Sequence, residues 1–403
     1  MSQSLLYHAF GVREGYEYRR TDYVGGRVEF HLAVKEEMLR CPQCGHGPCA
    51  RRGKRERRIS AVPIGLKPTV LVAEVPACRC QSCGKTFEVS PPFARAYCHY
   101  TRGMERFVCQ LSRWMTLAEV AAVSGLGWDS VKEIVKSDLG KRYAHIPLKG
   151  VRYLAVDEFH VGRKGKFLTV VIDLESGEIL WVGKGRGEAA LVKFFRRLRK
   201  SRAKIQAVAC DMAAAYWSAV LKHLPKVDVV FDHFHVIKLI NEKIDDLRRA
   251  LQREATILGK DYLKGMRHLL LTGAENVPED RKEALEEALR FNQPLSVAYY
   301  LKEDLRALWS QPSLARMRRH LDSWCKRAMQ SGISQLITMA NTLRTHATGI
   351  LNYFKHKIST GKLEGINNKI KTLKRKAYGF RDEAFFILKL YSLHESKVVL
   401  TGI

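Results

Sequence analysis

The chain has 403 residues, 46% of them hydrophobic, and a formal net charge of +28 from 69 Lys and Arg against 41 Asp and Glu. That length implies two to four domains with sizeable cores, and that charge favours a polyanionic partner. No apolar run approaches the roughly 20 residues of a membrane span, no amphipathic anchor opens the chain, and Met1–His8 lacks a secretory pattern, so a cytoplasmic nucleic-acid partner is the default.

Residues 1–40 read as a short strand-rich lead-in, with Val28, Phe30, Leu32 and Val34 on one face. Six of the ten cysteines then fall between Cys41 and Cys83. They include two knuckles, Cys41-Pro-Gln-Cys44-Gly45 and Cys80-Gln-Ser-Cys83-Gly84. In a reducing compartment such spacing reads as metal binding and not as a disulfide framework. Cys41, Cys44, Cys80 and Cys83 offer four thiolates to a structural zinc ion, and the Gly after each pair tolerates the positive φ of the turn. Cys78 could compete with Cys80, and His46 and Cys49 are spare donors. The basic stretch Arg51–Arg58 between the knuckles is expected to face DNA phosphates.

Residues 103–145 read as helical, with a turn at Ser124-Gly125. Thr116 can cap a helix, and Glu119 three residues later completes a capping box. Val131 and Ile134 return to the core, the rhythm of a helix-turn-helix. Its second helix offers Trp128, Asp129, Ser130, Lys132 and Glu133 to a major groove, with Trp128, Ser130 and Lys132 as the expected DNA-binding residues.

From 150 to about 240 the pattern is strand, strand, strand, helix, strand, helix, strand. Asp173–Glu178 is a Gly-containing hairpin turn. Alternation along Tyr153–His160 puts Asp157 and Glu158 on opposite faces, so one site can use only one of them, and alternation leaves the choice open. Asp211 ends the apolar run Ile205–Cys210 just before a helix, a common functional position in α/β domains; a helix N-cap is its structural alternative. Asp232-His-Phe-His235 closes the last strand, and on this apolar stretch His235 reads as a core residue.

Beyond 240 the chain is helical almost to its end. Arg248, Arg249, Arg316, Arg318 and Arg319 could contact a DNA backbone, and Trp309 and Trp324 read as core. In Thr360–Lys376, Leu363, Ile366, Ile370 and Leu373 form an apolar stripe, while Glu364, Asn368, Lys371 and Arg375 share another face. One acid among many cations suits a metal-bound DNA strand better than self-pairing.

These pieces, with Val156-Asp-Glu-Phe159, Cys210-Asp211, Phe231–Val236, Leu363-Glu-Gly-Ile-Asn-Asn-Lys-Ile-Lys371 and Tyr378-Gly-Phe-Arg381, resemble the ISL-three family of bacterial insertion-sequence transposases, a branch of the DDE transposases. The resemblance covers essentially the whole chain in family order. It implies a multidomain α+β protein: a zinc-binding ribbon (1–100), a helix-turn-helix region (101–148), an RNase H-like α/β catalytic core (149–240 and 346–403) and an all-α insertion (241–345). It selects Asp157 over Glu158, makes Asp211 and Glu364 its partners in holding two magnesium or manganese ions, and puts His235 near the scissile phosphate and Lys371 beside Glu364. The implied partners are double-stranded element ends and target DNA, bound by a homodimer or larger assembly in a bacterial, nucleoid-associated setting. A structure-selective nuclease and a DNA-binding regulator on an inactive scaffold are the rival readings.

Overall fold

The computed structural model describes residues 3–12, 15–161, 165–255 and 263–395. The chain forms two compact units, Met1–His145 with Lys376–Ile403, and Ile146–Arg375. The segment 346–403, assigned above as one piece, is thus divided between the units at Lys376.

In the first unit, helix α1 (Gln3–Phe10) precedes strands β1 (Tyr16–Val24), β2 (Arg27–Val34), β3 (Ala50–Ile64), β4 (Lys67–Arg79) and β5 (Thr86–Glu88). The sheet order is β1-β2-β4-β3, with β5 paired to β4. Val28, Phe30, Leu32 and Val34 all lie buried, and their core includes Leu6, Phe10, Ile59 and Leu71. Three helices follow, α2 (Arg102–Leu111), α3 (Leu117–Ser124) and α4 (Trp128–Arg142). Their small core of Met104, Val108, Val120, Val131, Ile134 and Leu139 is completed by Phe385 from the last helix, α15 (Glu383–Tyr391). That apolar contact is why the C-terminal helix belongs to this unit.

The second unit is built on β6 (Tyr153–His160), β7 (Phe167–Asp173), β8 (Ile179–Lys184), β9 (Ala207–Cys210) and β10 (Asp228–Phe231), in the order β10-β9-β6-β7-β8. The β6, β7 and β8 neighbours are antiparallel, whereas β9 is parallel to both β6 and β10. Three antiparallel strands followed by two parallel ones on the far side of the first is the RNase H-like topology. At the β7–β8 turn, Asp173 accepts hydrogen bonds from the Glu175 and Ser176 amides. The parallel connections require crossovers, supplied by α5 (Glu188–Lys200) and α6 (Ala214–His223).

A long helix, α7 (His233–Glu254), leaves the sheet and leads into α8 (Arg267–Leu271), α9 (Glu279–Phe291), α10 (Gln293–Arg306), α11 (Leu314–Gln330) and α12 (Ser334–Thr345). Trp324 is fully buried and donates to the Leu301 carbonyl at 2.7 Å; Trp309 is partly buried against the same core. The chain then returns through α13 (Ala347–His356), which covers β10, and α14 (Gly361–Lys376). Asn352 donates to the Val229 carbonyl at 2.9 Å, fixing α13 on that edge strand. No described helix is long and apolar enough to cross a membrane.

Candidate active site and metal-binding cluster

The two knuckles make the same turn: Gly45 donates to the Cys41 carbonyl and Gly84 to that of Cys80, at φ of 74° and 72°. Their sulfurs converge, with Cys41 Sγ 3.6 Å from Cys83 and Cys44 Sγ 3.5 Å from Cys80. Tetrahedral zinc with bonds of about 2.3 Å needs sulfur separations of about 3.8 Å, so this donor set fits a structural zinc ion. Among the described residues it is the only group of three or more metal-binding side chains whose donor atoms all lie within 4.8 Å of one another. The Cys83 amide helps pull the Cys80 thiol down to about 6, toward the ligating thiolate. Cys78 is wholly buried on β4, outside the cluster, and burial pushes its thiol up. The Cys49 thiol instead donates to the His46 carbonyl.

Much of the neighbouring basic stretch is already engaged. Arg51 pairs with Glu74, Arg55 with Glu88 and Arg58 with Glu29, while Arg57 donates to the carbonyls of Arg95 and Cys98. The sequence shows these charges without their partners, which come from other strands and loops.

In the helix-turn-helix, Glu119 accepts from the Thr116 amide at 2.6 Å and Thr116 Oγ1 accepts from the Glu119 amide at 3.3 Å. On α4, Trp128, Asp129 and Glu133 are exposed and Ser130 is half-buried. Lys132 is placed differently from the expected free base reader. Its Nζ lies 3.0 Å from Asp382 Oδ2, which Lys136 also approaches at 2.9 Å. Asp382 caps α15 by accepting from the Phe385 amide; that bond and the two lysines hold its carboxyl well below the usual range.

In the second unit, β6 and β9 pair in the register Tyr153–Ala207, Leu154–Val208 and Ala155–Ala209. Asp157 and Asp211 each lie two residues beyond the last of these pairs, and the two carboxylates are near enough to influence one another. Alternation separates the neighbouring acids: Glu158 accepts from the Tyr216 hydroxyl on α6, whereas Asp157 accepts from the Asn367 side chain on α14 at 2.7 Å. Burial pushes the Asp157 carboxyl above its ordinary value, and Asp211 adds to that rise. The Glu158 amide, Asn367 and nearby His235 pull the other way. Two adjoining half-buried carboxylates form a site short of positive charge, which a divalent cation would supply. Asp211 accepts from the Ala213 amide at 3.1 Å, two residues before the helix-capping position, so it is not itself the N-cap.

Glu364 lies in the first turn of α14 and is exposed, as are Asn368, Lys371 and Arg375. Leu363, Ile366 and Ile370 form the buried stripe, and Leu373 is partly buried. Between stripe and exposed face stands Asn367, one turn beyond Glu364 and absent from the sequence-based set. Its position three residues after the acid, next to Ile366, was the available signal. Its Oδ1 is buried with no hydrogen-bond partner among the described residues.

His235 lies in the first turn of α7, and Asp232 is that helix's N-cap, accepting from Phe234. Thr360, immediately before α14, donates to the same fully buried Asp232. Burial favours the neutral acid, but His233, Thr360 and the Phe234 amide outweigh it and hold the Asp232 carboxyl below its ordinary value. Farther along α7, Arg248 and Arg249 are committed to buried Asp245, whereas Arg316, Arg318 and Arg319 are exposed on α11 without an ion pair among the described residues.

Comparison with known proteins agrees with this architecture. The family model DDE_Tnp_ISL3, described as a transposase, matches residues 154–390, and a zinc-finger model of the IS204/IS1001/IS1096/IS1165 transposases matches residues 39–83. The chain is 33% identical over 394 residues to the transposase for insertion sequence element IS1001 of Bordetella parapertussis, spanning 96% of this chain and 97% of that one. It is 28% identical over 408 residues to the transposase for insertion sequence element IS1557 of Mycobacterium tuberculosis, spanning 94% and 91%. The solved Drosophila P element transposase strand transfer complex aligns at a TM-score of 0.41 and 10% identity, over 74% of this chain and 92% of that one, too distant to inform residue roles. With a family model across most of the chain and a relative matched almost end to end, this protein belongs to the ISL3 family of DDE transposases.

Proposed function

We propose that this transposase binds the terminal inverted repeats of its element and catalyses DNA strand cleavage and strand transfer at Asp157, Asp211 and Glu364. The observation that carries the reading is the convergence at Asp157: Asp211 lies across the parallel register, and α14 reaches the same carboxylate through Asn367, one turn from Glu364. These three acids would hold two magnesium or manganese ions, which supply Lewis-acid activation of water or a 3′-hydroxyl and neutralise charge on the phosphoryl oxygens.

The chain's own residues then divide the remaining work. Asn367 fixes the rotamer of Asp157 and offers it a donor, favouring its ionised form. His235, close enough to influence Asp157, orients the substrate or accepts a proton near the phosphate. Lys371 and Arg375, exposed on the same helix as Glu364, offset phosphate charge beside the cut. The zinc-bound ribbon and the helix-turn-helix recognise the ends, with Trp128 and Ser130 toward the groove and Asn368 adding a polar contact to the backbone.

The test uses duplex DNA carrying the element end. Asp157→Ala, Asp211→Ala and Glu364→Ala should each abolish magnesium- or manganese-dependent cleavage while end binding persists. Should any one of them still cut at more than a few per cent of the wild-type rate, that acid is misassigned.

A further inference from the structure

Between Glu188 and Asp211 the chain has no acidic residue, yet these 22 positions carry seven cations. Helix α5 spans most of them and buries Ala190, Leu191, Phe194, Phe195 and Leu198. It lies tight on β8: a Cβ at Gly183 would collide with the Ala190 carbonyl, and Trp181 donates to that carbonyl at 2.9 Å. Arg197 turns inward to the carbonyl of Ile146 at 2.6 Å. The other six, Lys193, Arg196, Arg199, Lys200, Arg202 and Lys204, are exposed, and among the described residues none has an ion pair or a side-chain hydrogen bond. Glu188 cannot balance them, because Lys222 and His223 hold it at 2.8 and 2.9 Å.

The helix dipole accounts for cations in the last turn of α5. It does not account for Lys193 and Arg196 a turn earlier, or for Arg202 and Lys204 beyond the helix. Lys193, Arg196 and Lys200 follow i, i+3 and i+7, a single stripe about 10 Å long. Both aromatic residues of α5, Phe194 and Phe195, are buried, so the stripe offers phosphate contacts without a platform for stacking unpaired bases.

The stripe is on the far side of the sheet from the carboxylates. Phe195 of α5 stacks on His223 of α6 at 4.8 Å, and Tyr216 of α6 bonds Glu158, so both helices cover the Glu158 face. Asp157 faces α14 on the other side. We propose that α5 and the loop after it form a second, sequence-independent surface for duplex DNA, gripping a segment other than the strand at Asp157. The choice of DNA among polyanions rests on the function proposed above.

The test compares the full chain with the variant Lys193→Glu, Arg196→Glu, Arg199→Glu and Lys200→Glu on a random-sequence duplex lacking the element end, across a sodium chloride series. Each lost phosphate contact removes about 0.9 from the slope of log affinity against log salt, so the slope should shrink by about 2–4 and affinity at low salt should fall about tenfold or more. A control variant reverses equal charge at Lys264, Arg281, Lys282 and Arg290 and should change far less. Melting temperatures of both should match the parent, and metal-dependent cutting of a short end duplex should survive in the α5 variant. An unchanged slope, or an equal loss in the control, overturns the proposal; so does a loss confined to an RNA hairpin. If the parent chain itself fails to cut end DNA, the function above fails, while the salt-slope comparison still decides whether α5 binds duplex.

Discussion

The Asn367 carboxamide donates to Asp157 Oδ2 at 2.7 Å, joining residues 210 positions apart. Its other end, Oδ1, is buried and unpartnered among the described residues. Flipping the amide would set an oxygen against a carboxylate, so the donor orientation is chemically fixed. This bond ties the helix of Glu364 to the strand of Asp157 without requiring the acids to touch.

Asn367→Ala should therefore lower cleavage about ten- to hundredfold and weaken manganese binding to the DNA-free protein by a similar factor, the usual effect of losing a partner that orients a metal-binding carboxylate. Asn367→Asp should be worse, since it places a like charge against Asp157. Calorimetric manganese titration beside a melting curve separates this from simple unfolding. Wild-type manganese affinity in Asn367→Ala would show that Asp157 needs no such support.

Glu158 and Asp157 should respond oppositely to loss of charge. Glu158→Gln keeps an acceptor for the Tyr216 hydroxyl, so cleavage should remain within about threefold of wild type, with a stability loss near 1 kcal/mol. Asp157→Asn should remove cleavage. Single-turnover rates on the same duplex decide, and a dead Glu158→Gln would mean that both faces of β6 contribute to the chemistry.

The Asp382 clamp has a pH signature. Its folded carboxyl is depressed, so its stabilisation is complete above the unfolded carboxylate value of about 4 and is lost as pH falls from there through the folded value. Asp382→Asn should flatten that acid limb of the melting curve. It should also release Lys132 and Lys136, raising affinity for element ends, and Lys132→Ala on that background should reverse the gain. Acid unfolding identical to wild type would mean that the pair contributes nothing. Asp382→Ala, which also removes the cap of α15, should cost about 1 kcal/mol more.

Cys80→Ser should strip zinc and unfold the ribbon, because the metal supplies much of a small module's folding energy. Cys78→Ser should keep one zinc per chain, since that thiol is outside the cluster and packed in the β-sheet core. Elemental analysis of both, purified without chelators, checks the assignment; zinc loss in Cys78→Ser alone would reverse it.

What the sequence disclosed was local. Knuckle spacing, the Thr116–Glu119 box and the alternation around Asp157 each lie within a few residues, where covalent geometry alone sets the outcome. The sheet order was legible only through family resemblance. What stayed hidden depends on distant partners: Lys132 meets Asp382 from a later helix, and four arginines of the 51–58 stretch meet acids or carbonyls from other strands and loops. Asn367 was visible as a letter beside Ile366, but its role required knowing which side of α14 meets β6. The run of cations in α5 was equally plain, yet only burial shows which of them remain available.

Thr360 and Asp232, 128 positions apart, share a hydrogen bond at the point where the chain leaves the sheet and comes back to it. The whole excursion from α7 to α13 therefore starts and ends at one buried doorway. Closing a longer loop costs little more than closing a short one, since the entropy rises only with the logarithm of length. The number and length of helices in the excursion can then drift between relatives while Glu364 keeps its address. Trading the excursion for that of another family member should leave Glu364 at the same place beside the sheet.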